Sequence, residues 1–322
     1  MNKRLLNIFK RVSLLLMLFS LMFSMSACQL DDIVDIAIDG ILSVTDELIQ
    51  NKDEKTEDEE TPTGSTEIVD GIINIHFLDV GQGDSILITS DDGVILVDAS
   101  LKNSSVTKGI CEYIQKLGIK EIDYFVLTHP HSDHIGGAPT VINTFDIKNV
   151  IMPDCVTTTK IFEETLDAIE SKDVNVLEAV SGDEYSLGKL NFKILAPNSA
   201  SYSEINDYSV VFRLTYGEVS AMFTGDAEEL SEEEILSKYS YQDLNSDLLK
   251  VGHHGSSSSS SVAFLKAVSP KYAVMSLGED NSYGHPHDEI VERFEDMGIT
   301  YYRTDIEGTI VFSCDGKNFV KE

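Results

Sequence analysis

The chain has 322 residues and 42% hydrophobic content, enough for one large core or two small ones. Its formal net charge of -31 is unevenly spread: residues 1–30 carry +4, residues 31–70 carry -12, and residues 71–322 carry the remaining -23. An acidic body of this kind disfavours duplex nucleic acid, whose affinity rests on Lys and Arg neutralising phosphates.

The N-terminus reads as an export signal. Lys3 to Arg11 is basic, and Val12 to Phe23 is a short apolar run. The run falls short of the about 20 residues of a comfortable membrane span and suits a cleaved signal peptide. Met25-Ser26-Ala27-Cys28 resembles a bacterial lipoprotein cleavage box. That resemblance implies that residues 1–27 are removed and that Cys28 carries a lipid anchor in the bacterial cell membrane. An uncleaved anchor is the alternative, and either expectation puts the body outside the cytoplasm. Residues 28–70 read as an acidic tether. Within it Asn51 to Glu67 lacks large apolar side chains, so burial cannot offset its ordering entropy. Ile33, Ile36, Ile38, Ile41 and Leu42 suit a short amphipathic helix ahead of that stretch. Cys111, Cys155 and Cys314 form no C-x-x-C pair and no zinc-finger spacing; Cys111 and Cys314 read as small core residues.

From Gly71 the texture changes. Ile72 to Val80, Ser85 to Thr89 and Val94 to Asp98 are β-rich runs separated by turn residues. Val106 to Leu117 then reads as a helix, Tyr124 to Leu127 as a strand, Ile161 to Ile169 as a helix and Leu190 to Leu195 as a strand. Val210 to Leu214 and Val219 to Phe223 suit a hairpin, followed by a helix over Glu228 to Tyr239. Asp247 to Val251, Tyr272 to Ser276 and Thr309 to Phe312 read as strands, with helices at Val262 to Val268 and Glu289 to Met297. This alternation predicts an α/β protein with helices covering the sheets, over residues 71–322. The poly-serine stretch Ser256 to Ser261 is either a loop or the start of the next helix, where Ser caps well.

Thr128 to Gly137 reads T-H-P-H-S-D-H-I-G-G, between a strand and a helix-like segment. Three histidines and an aspartate within six residues are rarely structural. Imidazole and carboxylate are natural ligands of Zn²⁺ and similar ions. One loop of this kind can serve two ions about 3.5–4 Å apart, a spacing at which water is activated between them.

H-x-H-x-D-H in this context resembles the metallo-β-lactamase fold superfamily, over about residues 72–315. Phe77 to Ser85 (FLDVGQGDS), Phe223 to Asp226 (FTGD), Leu249 to Ser256 (LKVGHHGS) and Tyr283 to Pro286 (YGHP) resemble the branch formed by the extracytoplasmic hydrolase domain of ComEC-type DNA-uptake proteins. The resemblance implies an αβ/βα sandwich: two mixed β-sheets packed face to face, with helices outside. It implies two divalent ions, the first on His129 and His131, the second on Asp133 and His134, with Asp226 bridging them. His253 or His254 supplies the last ligand, one of the pair binding metal and the other touching substrate or donating a proton, with His254 the preferred ligand. Asp133 also orients the attacking water. Asp98 is either the acid that fixes a ligand histidine or a strand-end turn residue. Asp79 is a weaker candidate for such support, and both it and Asp84 suit the tight turn at Gly81 and Gly83. His285 is either a substrate contact or part of a turn. His76 and His287 read as ordinary residues.

Where many members place a third histidine for the first ion, this chain has Asn206-Asp207-Tyr208-Ser209. Asn206 or Asp207 can fill that slot with oxygen, which leaves the metal open between zinc and manganese. The expected function is a surface-anchored metal-dependent hydrolase, a phosphodiesterase or nuclease, with single-stranded DNA as a candidate substrate. Lys250 and Arg303, and less firmly Lys271, are candidates for a local basic patch. The alternatives are hydrolysis of cell-wall phosphodiesters (phosphocholine or teichoic acid), lactones or β-lactams, and a non-enzymatic surface binding module that keeps the fold.

Overall fold

The computed structural model describes residues 71–322. The expected signal peptide, lipid-bearing Cys28, amphipathic stretch and acidic tether lie outside the described residues. The strands, in chain order, are β1 (Ile73–Phe77), β2 (Ile86–Ser90), β3 (Gly93–Val97), β4 (Glu121–Val126), β5 (Asp146–Met152), β6 (Asn175–Glu178), β7 (Glu184–Leu187), β8 (Leu190–Ala196), β9 (Val211–Tyr216), β10 (Val219–Phe223), β11 (Leu248–Lys250), β12 (Tyr272–Met275), β13 (Thr300–Arg303), β14 (Ile310–Cys314) and β15 (Phe319–Lys321).

They form two mixed sheets. The first has the order β15-β14-β1-β2-β3-β4-β5-β6 and the second β13-β12-β11-β10-β9-β8-β7. In the first, pairing is antiparallel up to β3 and parallel from β3 through β6. The second repeats the scheme: β7 to β10 are antiparallel, and β10 to β13 parallel.

Period-two alternation sorts each strand's side chains between layers. Ile73, Ile75 and Phe77 of β1, Ile95 and Val97 of β3, Phe212 and Leu214 of β9, and Ala221 and Phe223 of β10 enter one core between the sheets. Leu96 and Phe125 point the other way, under the helices Ser104–Lys116, Ala138–Thr144 and Lys160–Lys172. Met222, Leu249 and Ala273 do the same beneath Glu229–Lys238, Val262–Val268 and Asp288–Asp296. The result is the helix–sheet–sheet–helix sandwich that the resemblance implied. The helix Ser104–Lys116 shows why such segments form: Asn103 caps it by accepting from the Ser105 N–H, and Thr107, Ile110, Cys111 and Ile114 make one buried stripe.

The poly-serine stretch is both loop and cap. Ser261 caps Val262–Val268, its hydroxyl accepting from the Phe264 N–H, while buried Glu232 accepts from the Ser260 and Ser261 N–H groups. Cys111, Cys155 and Cys314 are buried free thiols. No helix among the described residues is long and apolar enough to cross a membrane.

Candidate metal centre

The histidine-rich segment leaves the C-terminal end of β4, and three further loops meet it from the ends of parallel strands β10, β11 and β12. Strand ends of this kind are where α/β sheets gather ligands. The segment is clamped by backbone bonds: Val210 N–H to Thr128 O at 2.9 Å and Ala99 N–H to His134 O at 2.7 Å. Gly83 permits a closer contact still. Its φ is +128°, and a Cβ there would stand 2.3 Å from Asp133 O. Asp226 follows β10 through Gly225, whose φ of +52° turns the chain against Thr128. His253 and His254 both adopt left-handed backbone, with φ of 46° and 54°. Such a conformation costs a non-glycine residue about 1–2 kcal/mol. Two in succession aim both rings inward, although neighbouring side chains on a strand would diverge.

Four imidazoles surround one carboxylate oxygen. From Asp226 Oδ2, His134 Nε2 lies at 3.1 Å, His254 Nε2 at 3.5 Å, His253 Nε2 at 3.8 Å and His129 Nε2 at 3.9 Å. The opposite nitrogen of each ring is held. Nδ1 of His134 meets Asp98 Oδ2 at 2.7 Å, that of His254 meets Ser276 O at 2.8 Å, that of His253 meets Glu228 Oε1 at 3.1 Å, and that of His129 lies 3.3 Å from Ser209 Oγ. Asp133 Oδ2 stands 3.6 Å from His254 Nε2. His131 Nδ1 lies 3.0 Å from His129 Nε2.

Does this set fit a cation? His134 Nε2, His254 Nε2 and Asp226 Oδ1 are buried without a hydrogen-bond partner; the 3.1 Å approach of His134 to Asp226 lacks the alignment of one. Buried polar atoms are normally satisfied. Asp133, His134, Asp226 and His254 each present one ligand atom, all within 4.8 Å of one another. Orphaned donors of this type, converging this closely, suit a divalent ion with nitrogen and oxygen ligands.

The same groups strongly shift one another's protonation. Burial alone would raise the Asp226 carboxyl, but His134 and His254 outweigh it and hold the group well below the usual carboxylate range. Burial would lower His134 and His254; Asp226 beside both, with Asp98 beside His134 and Asp133 beside His254, instead raises each well above an ordinary histidine. His129, buried and facing His134, is pushed well down. Burial, reinforced by His253 and His254, lowers His285 to about 4.

A cleft of ≈ 260 Å³ opens over this cluster, lined by Gln82, His131, Ser132, Asp133, Asn206, Asp226, His253, His254, Tyr283 and His285. Asn206 thus borders the cleft, with its Oδ1 buried and unpartnered. Asp207 does not. Its carboxylate turns away to accept the Glu228 and Ser231 N–H groups at the start of Glu229–Lys238, because the 3₁₀ turn Ile205–Tyr208 sends neighbouring side chains apart. Asp98 takes the supporting position rather than that of a simple turn, accepting from the Thr128 N–H and hydroxyl as well as meeting His134.

Other expectations need correction. Asp79 is exposed and accepts only the Gly81 N–H, so it shapes the turn and does not support the cluster. Lys250 is no substrate contact: it is 1% exposed, and its Nζ meets Asp84 Oδ2 at 2.9 Å and Val251 O at 2.8 Å. Arg303 is engaged by both oxygens of Asp305. Lys271 lies at the start of β12, opposite the end that faces the cleft, with its ammonium over the Tyr272 ring. The expected basic patch does not form at the cleft. His76 and His287 are ordinary: the first bonds Tyr113, the second accepts the Ser257 N–H.

Sequence reasoning missed Glu228, which accepts from His253, Asn206 and Ser258, and underrated Asp84, which pairs with Lys250 and stands 3.5 Å from His254 Nδ1. A signal for Asp84 existed: Lys250 stands inside the apolar run Leu248 to Val251, and a buried ammonium needs a carboxylate. Glu228 gave none: it read as the first residue of a helix over Glu228 to Tyr239, and the structure makes it the residue before that helix. Gln82, Ser132 and Tyr283 line the cleft without having been singled out.

Comparison with known proteins agrees with this architecture. The family model described as the metallo-beta-lactamase superfamily matches residues 78–195 and 204–279, more than half of the chain. ComE operon protein 3 of Bacillus subtilis (strain 168) is 30% identical over 254 residues, covering 74% of this chain and 32% of that protein. Competence protein ComA of Neisseria gonorrhoeae is 32% identical over 243 residues, covering 76% of this chain and 32% of that protein. The chain therefore spans about a third of the length of these ComEC-like relatives. Among solved structures, the metallo-beta-lactamase fold protein YhfI from Bacillus subtilis superposes with a TM-score of 0.50 at 13% identity, covering 76% of this chain and all of that one, a likeness of fold alone. With its sandwich, its H-x-H-x-D-H loop and this match, the chain belongs to the metallo-β-lactamase superfamily.

Proposed function

We propose that the protein is a metal-dependent phosphodiesterase of the ComEC-like type, acting on single-stranded or short nucleic acid outside the cytoplasm. The observation that carries this is the ring of four imidazole Nε2 atoms around Asp226 Oδ2, each ring held from behind. In this reading His129, His131 and Asp226 hold one ion, and Asp133, His134, His254 and Asp226 hold the other, with zinc and manganese both admissible. Bound there, divalent ions would polarise a phosphoryl oxygen and make water reactive near neutral pH. The protein's own groups do the rest. Asp133, partly open to the cleft, orients the water, Asn206 borders the cleft beside His253 and Glu228, and His285 stays neutral and offers a hydrogen bond to substrate.

No Lys or Arg lines the cleft. A long duplex would find no cationic track here, which favours short or unpaired strands. The same lack of cations, with the acidic body, also suits a zwitterionic wall substrate such as a phosphocholine diester, and that is the second reading. Attachment to the membrane through Cys28 rests on the N-terminal sequence alone; a Cys28→Ala variant recovered in the soluble fraction would support it.

A substrate panel tests the function. Single-stranded DNA, duplex DNA, RNA, bis-p-nitrophenyl phosphate, a phosphocholine diester and a chromogenic β-lactam are each offered under Mn²⁺ and Zn²⁺. The expected result is cleavage of single-stranded nucleic acid and of bis-p-nitrophenyl phosphate, lost in Asp133→Ala. Turnover of the β-lactam or phosphocholine diester alone would overturn the reading.

A further inference from the structure

Tyr283 is 62% exposed, yet it borders the cleft and lies over His285, with ring centroids 5.6 Å apart and planes 24° from parallel. His285 in turn faces both inner histidines, 5.5 Å from His253 and 6.4 Å from His254. A continuous aromatic path thus runs from the ligand cluster to solvent and ends in a phenol ring with a free outer face. Its base is fixed: Asn281 takes the His285 N–H on Oδ1 and donates from Nδ2 to the carbonyls of Gly278 and His285. The turn that carries Tyr283 is thus pinned, and the His285 ring backs one face of the phenol.

We infer that Tyr283 is a stacking platform for an unpaired nucleobase next to the phosphodiester held at the cleft. The inference rests on the phosphodiesterase reading and deepens it. Since the cleft offers no cationic side chain, a strand has to be held by the metal centre and by its bases. Base–aromatic stacking tolerates any sequence and requires the base to be unpaired, so the platform selects single strands over duplex. A quaternary ammonium can also sit on a phenol ring. The relative named as a competence protein favours the nucleobase, and phosphocholine becomes an outcome of the test.

The chain contains no tryptophan, so Tyr283→Trp places a single reporter at the rim while keeping a stacking ring. The metal-loaded Tyr283→Trp protein is mixed in a stopped-flow instrument with oligothymidylate, with an abasic strand of equal length, or with phosphocholine, and fluorescence is read before turnover. Quenching by oligothymidylate and not by the abasic strand is expected. In Tyr283→Ala, oligothymidylate affinity measured by anisotropy should fall about 5- to 100-fold, bringing it near that of the abasic strand. Equal responses to both strands, no response, or a response to phosphocholine alone would overturn the platform. Cleavage of bis-p-nitrophenyl phosphate with no quenching would overturn the platform and leave the phosphodiesterase reading standing; loss of both would sink the two together.

Discussion

Lys250 and Asp84 form an ion pair of 2.9 Å at positions only 1% exposed. Asp84 also stands 3.5 Å from His254 Nδ1, so the pair backs one of the cluster's imidazoles. Removing Lys250 leaves Asp84 buried beside His254 without its ammonium partner, and removing Asp84 leaves the ammonium buried against a carbonyl. Lys250→Met should therefore cost about 3–5 kcal/mol in urea unfolding of the metal-free protein. Pairing it with Asp84→Asn should cost less than the two single changes added together. Additive losses would show that the two groups do not act as a pair.

Asp98 fixes His134 from behind at 2.7 Å and also receives the Thr128 N–H. Asp98→Asn keeps the shape but loses the carboxylate that orients the ring. Metal affinity should fall about 10- to 100-fold, as seen by competition with a chromophoric chelator. Unchanged affinity would return Asp98 to the role of a turn residue.

Metal uptake should be strongly pH-dependent. His134 and His254 are raised well above ordinary histidines by the carboxylates beside them, so an incoming ion must displace their protons. Apparent affinity should climb with pH across the neutral range, with proton release on binding. A flat profile by calorimetry in buffers of different ionisation enthalpy would contradict this.

His76 predicts a second pH effect, away from the cleft. Burial lowers its imidazole, and its Nδ1 meets the Tyr113 hydroxyl at 2.9 Å, an arrangement suited to the neutral ring. The folded value lies below the unfolded one. The stabilisation is thus complete above the unfolded value of about 6.5 and is lost as pH falls through the folded value. His76→Phe should flatten the acid limb of the stability–pH curve measured by denaturant unfolding. Parallel curves for the two proteins would exclude His76 as its source.

Much of the fold was legible because its strands obey simple alternation. Ile73, Ile75 and Phe77 announce a half-buried strand, and the helix read over Val262 to Val268 coincides with the observed one at both ends. The cluster was legible because H-x-H-x-D-H concentrates ligands in one loop. What was hidden depends on three-dimensional partners. Lys250 looked like a surface cation beside two histidines, yet β11 lies between β10 and β12 with all three residues buried, and only Asp84 from the β1–β2 turn makes that tolerable. Asp207 looked like a ligand until the turn at Ile205–Tyr208 sent it to cap a helix. Strand neighbours diverge, so the approach of both His253 and His254 to Asp226 was hidden until their left-handed backbone turned the two rings the same way.

The most direct measurement is anomalous diffraction from crystals soaked in Mn²⁺ or Zn²⁺. The account predicts two peaks flanking Asp226, one near His129 and His131 and one within about 2.0–2.2 Å of ligand atoms of Asp133, His134 and His254. Density with no ion between those imidazoles and Asp226, or ions bound only elsewhere on the acidic surface, would contradict it.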